Sequence, residues 1–128
     1  MFVKLRTWTG TQSPGCFYIQ SKGQHAGRPL KNPIRNCFAV YTDDDLLFEK
    51  VYSLFVGRMF ERHIHGTCIP TIRMTDVHEV IEIALVLQGD VQKELKTIRS
   101  IDNLVGNLHQ QIKLYKEIQI ALCRKINS

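Results

Sequence analysis

Residues 98–126 read IRSIDNLVGNLHQQIKLYKEIQIALCRKI, and their apolar positions recur at alternating spacings of three and four. Ile98, Ile101, Val105, Leu108, Ile112, Tyr115, Gln119, Leu122 and Ile126 form the series, which is the spacing of a coiled-coil seam. Carried back to Val91, the pattern predicts one helix of ~35 residues, longer than the helices of compact domains. Gln119 is polar, as register-setting seam positions often are. Gly106 weakens the middle by ~1 kcal/mol relative to Ala and marks a place for a bend or a break into two helices. At ~1.5 Å per residue the helix spans ~50 Å, more than a small head can cover. Pairing with a second helix is therefore expected through Ile98, Ile101, Val105, Leu108, Ile112, Tyr115 and Leu122.

Ahead of that helix the pattern changes period. Val3, Leu5 and Thr7 alternate with Lys4 and Arg6, predicting a strand over Phe2–Thr9. Gly10–Gly15 is a turn by composition, Cys16–Gln20 a second strand and Asn36–Tyr41 a third. Ser21–Pro33, with Gly23, Gly27, Pro29 and Pro33, reads as a long polar loop. Thr42-Asp43-Asp44-Asp45 reads as a helix start, with Thr42 as cap and Asp45 as its capping-box partner. The helix is expected to run to Arg62 on a face of Leu47, Val51, Leu54, Phe55 and Phe60. After a break at His63–Pro70, a short helical turn at Thr75–Glu79 is expected. A strand follows, with Ile81, Ile83, Leu85 and Leu87 alternating against Glu82, Ala84, Val86 and Gln88. Gly89 ends it and Asp90 caps the last helix. The expected fold is α+β, with a small mixed sheet on one core helix in residues 1–90 and a long coiled-coil-like helix in 91–128.

Hydrophobic content of 44% and charged content of 23% are globular values and exclude a disordered chain. No run approaches a membrane span, and Met1–Trp8 lacks the apolar core of a signal peptide, so a cytoplasmic protein is expected. Cys16, Cys37, Cys68 and Cys123 never pair as C-x-x-C and are expected to be free thiols. The net charge of +5 is unevenly spread. Residues 1–42 hold six basic side chains and no acid, residues 43–90 are net −5, and residues 91–128 net +4. An acid-free basic stretch suits an anionic partner such as a phosphate backbone. Arg28, Lys31 and Arg35 in the Gly/Pro-rich loop, with Arg73, are the candidate duplex-DNA contacts.

Enzymatic motifs do not emerge. The glycines form neither a Walker-type loop nor G-x-G-x-x-G, and nothing places a cysteine on an elbow beside a histidine. His63, His65 and Cys68 make an H-x-H-x-x-C cluster, but three ligands do not close a structural zinc site, so a plain turn is expected there. Asp43, Asp44 and Asp45 are explained by a helix start without a cation. No catalytic residue, metal or cofactor is expected.

From Thr42 onward the chain resembles the specificity subunit of type I restriction–modification systems. The resemblance covers the second half of a target-recognition domain and the conserved helix after it. The run Leu46–Phe55 precedes Gly66-Thr67-Cys68-Ile69-Pro70-Thr71-Ile72, which resembles that family's G-[ST]-x-x-P-x-[IL] turn. Asp76-Val77, then Ile81–Leu87, lead to Gln92 at the head of the long helix. The prolines usual in the segment matched to Ile83–Leu87 are missing, and the part preceding the helix is about half the usual length. The resemblance implies a non-catalytic, truncated DNA-recognition module whose helix pairs as a homodimer or with a methyltransferase-like partner. The alternative is an interaction module, a decoy or regulator of such a system, that does not bind DNA.

Overall fold

The computed structural model describes residues 2–86 and 92–128. It divides into two compact units, Met1–Gly89 and Asp90–Ser128. The first is α+β. Strands β1 (Val3–Thr7), β2 (Phe17–Gln20), β3 (Pro29–Leu30) and β4 (Cys37–Thr42) form one sheet in the order β1-β4-β2-β3. Every pairing is antiparallel, so the sheet is not mixed. Helices α1 (Leu47–Val56) and α2 (Met74–Leu85) follow, separated by a 3-10 turn at Glu61–His63.

The strand period of two sorts the sheet residues onto two faces. Leu5, Phe17, Ile19, Phe38 and Val40 point into the main core, where they meet Leu47, Val51 and Leu54 of α1 and Val77, Val80, Ile81 and Ala84 of α2. The opposite face carries Tyr18, Cys37 and Ala39, packed with Trp8, Leu30 and Tyr41. Residues 9–16 close over part of this second face. Gly15 N–H donates to the Tyr18 hydroxyl, and the Tyr41 hydroxyl donates to Ser13 O.

Four local expectations are corrected. The strand expected at Ile81–Leu87 is the C-terminal half of α2; Leu87 itself lies outside the described residues, as do Gly89, Asp90 and Val91. Ile81, Ile83 and Leu85 do alternate, but Val77, Val80, Ile81 and Ala84 also lie at helical spacing, and burying these four at 0–2% exposure selects the helix. Asp76 Oδ2 accepts the Arg73 N–H at the helix start. The reciprocal bond of a capping box is missing, since a guanidinium has no acceptor.

Helix α1 stops at Val56, not Arg62, because Arg58 turns left-handed at φ 62 and Met59 N–H bonds back to Leu54 O. That reversal sends Phe60 into the core at 1% exposure. The acidic run is not a simple helix cap. Asp43 accepts from Phe2 N–H at 2.9 Å, which holds its carboxyl below the ordinary pKa range. Asp44 accepts from Leu46 N–H and pairs with the buried Lys50 at 3.4 Å. Thr42 Oγ1 accepts from Asp44 N–H rather than from a helix amide.

The loop Ser21–Pro33 contains β3 and a tight turn. Gly27 sits at φ +94, and a Cβ there would lie 3.0 Å from the Phe60 ring; only glycine satisfies both conditions.

The second unit is α3 (Gln92–Ile126), 35 residues without interruption. Gly106 does not break it. Among the described residues, no helix is long and apolar enough to cross a membrane.

Candidate partner-binding helix and basic residues

The seam of α3 is exposed. Leu108 is 57% accessible, Ile112 50% and Tyr115 70%, and Ile101, Val105, Leu122 and Ile126 are also exposed, with Ile98 half-buried. Starting the heptad at Ile98 puts Ile98, Val105, Ile112, Gln119 and Ile126 at position a, and Ile101, Leu108, Tyr115 and Leu122 at position d. Four of the five a residues are β-branched and two of the four d residues are leucine, the combination that favours two parallel strands. Leu104 and Ile118, also exposed, widen the seam at position g.

In a parallel pair each g residue faces the e residue five positions on in its partner. The pairs would be Thr97 with Asp102, Leu104 with His109, Gln111 with Lys116 and Ile118 with Cys123. None sets like charges together, so self-pairing meets no electrostatic veto. Gly106 falls at position b, away from the seam. Glu94 near the start of α3 and Arg124 and Lys125 at its end complement the helix dipole.

The four basic residues expected to touch DNA do not share one environment. Arg28 and Arg35 are exposed, in the turns before β3 and β4. Lys31, just after β3, lays its ammonium 3.8 Å from the centre of the Phe48 ring of α1, a cation–π contact. Arg73 is committed to its own neighbourhood: Nε lies 3.5 Å from Asp76 Oδ2 and a terminal nitrogen 2.9 Å from His65 Nε2. Asp76 is partly desolvated, which raises a carboxyl pKa. Its bonds from Arg73 N–H and His65, and the charges of both side chains, nonetheless hold it below the ordinary value.

Two basic residues outside that set of four share one surface. Lys4 and Arg6 lie two apart on β1 on the face away from the main core, opposite Tyr41 and Ala39 in register. With Phe2, Gln12, Ser13 and Tyr41 they line one shallow cavity. The alternation Val3-Lys4-Leu5-Arg6 already carried that signal.

Cys37 is buried and donates to Ile34 O, whereas Cys16, Cys68 and Cys123 are exposed, all four as free thiols. Burial pushes the Cys37 thiol pKa up, and the Ile34 carbonyl bond only partly offsets it.

Comparison with curated proteins and with solved structures finds no match. A family model does match, over residues 6–125, from within β1 to near the end of α3. The chain belongs to that family, described as a family of unknown function (DUF6943).

Proposed function

We propose that this protein is a non-enzymatic interaction module that pairs with a second copy of itself through α3, in parallel. The observation that carries this is the exposed seam from Ile98 to Ile126, with β-branched residues at a and leucines among the d positions. A lone helix of this kind gains little from propensity and is marginal in water, so its stability must come from a covered apolar face. Each large aliphatic side chain buried on pairing contributes roughly 1.5–3 kcal/mol, and the seam supplies several per chain. A polar Gln119 within an otherwise apolar seam penalises misaligned registers. Free thiols agree with the cytoplasmic location that this reading includes.

A second reading adds an anionic partner, duplex DNA, at the head. It is favoured by the exposed Lys4, Arg6, Arg28, Lys31 and Arg35 in a stretch without a single acid. Arg73, held by Asp76, contributes least to it. One experiment separates the readings: light scattering combined with titration of a labelled mixed-sequence duplex at ~50 and ~200 mM salt. A dimer that becomes monomeric on Leu108→Glu supports pairing through α3, and a monomer in the native protein overturns it. Duplex binding that falls at least tenfold between the two salts, and weakens in a Lys4→Ala/Arg6→Ala variant, supports the DNA contact. No binding at the lower salt removes that contact and leaves pairing standing.

A further inference from the structure

His63 closes the 3-10 turn, and Asp76 and Glu79 occupy one face of the first turns of α2, three residues apart. The turn and the helix are brought together by the segment between them. His65 and Thr71 exchange both backbone hydrogen bonds, at 2.8 and 2.7 Å, around the tight turn at Gly66. His63 Nδ1 then lies 3.5 Å from Asp76 Oδ1 and 3.6 Å from Glu79 Oε2. One donor atom from each of the three residues falls within 4.8 Å of the other two.

These separations are too long for charge-assisted hydrogen bonds, which run at about 2.7–2.9 Å. They are close to the edge of a tetrahedron around an ion with bonds of about 2.0–2.2 Å, which is roughly 3.3–3.6 Å. The imidazole has little other support. Its side chain is 11% exposed, and Nε2 is buried without a hydrogen-bond partner among the described residues. A buried ring nitrogen left unsatisfied costs about 1–3 kcal/mol, and the two carboxylates that face Nδ1 repel each other. A cation between the three groups offsets that repulsion.

We infer that His63 Nδ1, Asp76 Oδ1 and Glu79 Oε2 form a binding site for one divalent ion of the zinc class. Imidazole with two carboxylates suits zinc and its neighbours rather than calcium or magnesium, which take mainly oxygen donors in larger number. Asp76 is held for the role from outside. Its other oxygen, Oδ2, accepts the Arg73 N–H and faces His65 Nε2 at 3.2 Å, the kind of support that orients ligating carboxylates. The Glu79 side chain is 66% exposed, so a water can take the fourth position. Cys68 is not among the three. The H-x-H-x-x-C segment therefore contributes His63 to the ion and His65 to the support of Asp76. The ion's task is to clamp the 3-10 turn onto α2.

The test is calorimetric titration of metal-stripped full-length protein with zinc chloride, repeated with cobalt as a spectroscopic stand-in. Glu79→Gln and Cys68→Ser serve as variants, since both side chains are exposed and neither change threatens folding. One ion per chain is expected, with binding at least tenfold weaker in Glu79→Gln and unchanged within twofold in Cys68→Ser. Cobalt should give the visible absorption of a four-coordinate site without a thiolate charge-transfer band. Absence of binding, binding indifferent to Glu79→Gln, or loss of binding in Cys68→Ser would each overturn the assignment.

Discussion

Replacing Gly106 by alanine isolates the contribution of α3 without touching its seam. Gly106 lies in the interior of a continuous helix, well away from either end, and a Cβ built there meets nothing within 4 Å. No steric term therefore opposes the change, and what remains is the difference in helix propensity, about 0.8–1.0 kcal/mol per chain in favour of alanine. If α3 gains its helicity on pairing, both chains contribute. The dimer is then favoured by about 1.6–2.0 kcal/mol, which is a roughly 14- to 30-fold lower dissociation constant at ~1.4 kcal/mol per tenfold. Sedimentation equilibrium of the native and Gly106→Ala proteins over a shared concentration range measures this directly, and far-UV circular dichroism on dilution follows the helix. A change below about threefold, with helicity unchanged, would refute the coupling of helix to pairing. Weaker association would refute the placement of Gly106 on the outer side of the coil.

Gly66→Ala should destabilise the head by roughly 2–3 kcal/mol, because φ is +98 and the new Cβ would stand 2.4 Å from Ile69 O; urea unfolding reports it. Asp44→Ala strands the buried ammonium of Lys50 and removes the acceptor for Leu46 N–H, a loss of about 3 kcal/mol. Asp44→Ala combined with Lys50→Met should recover part of that loss in the same assay, and no recovery would argue against the ion pair. In thiol titration with Ellman's reagent at mildly alkaline pH, Cys16, Cys68 and Cys123 should react promptly. Cys37 should wait for denaturant, since its thiolate fraction at a given pH is reduced by the raised pKa and its sulfur is covered; four equally fast thiols would contradict the packing of that face.

What could be read in the chain tracks the range of the interaction that decides it. β2 is visible because its residues are β-branched and aromatic, and β1 and β4 because Val3 and Leu5, or Phe38 and Val40, turn toward the core at period two. The heptad of α3 is visible for the same reason at its own period. β3 is not visible, because two residues, one of them Pro29, carry no pattern, and they become a strand only through pairing with Tyr18 and Ile19. Ile81–Leu85 satisfies both periods, and the choice falls to which residues the sheet can cover. Among the candidate site residues, Arg73 also pairs with Asp76, an i,i+3 contact that the sequence itself offered. The approach of His63 to Asp76 and Glu79 could not be read, since it depends on the His65–Thr71 bridge and on α2 being a helix at all.

The strand order has a consequence for how the chain reaches its fold. The second strand in the sheet is the last to appear in the chain: β4 lies between β1 and β2 and supplies the register for both, with Val3 opposite Thr42 and Phe17 opposite Val40. Until residues 37–42 leave the ribosome, β1 has no partner in the sheet and β2 has only the two-residue β3, so their apolar faces stay largely uncovered. Closure of the long connection from β1 to β4 must precede any reward from the sheet, a non-local step that slows folding. The polar residues that alternate along β1, Lys4 and Arg6, keep that waiting edge charged, and charge on an open edge discourages pairing with other nascent chains.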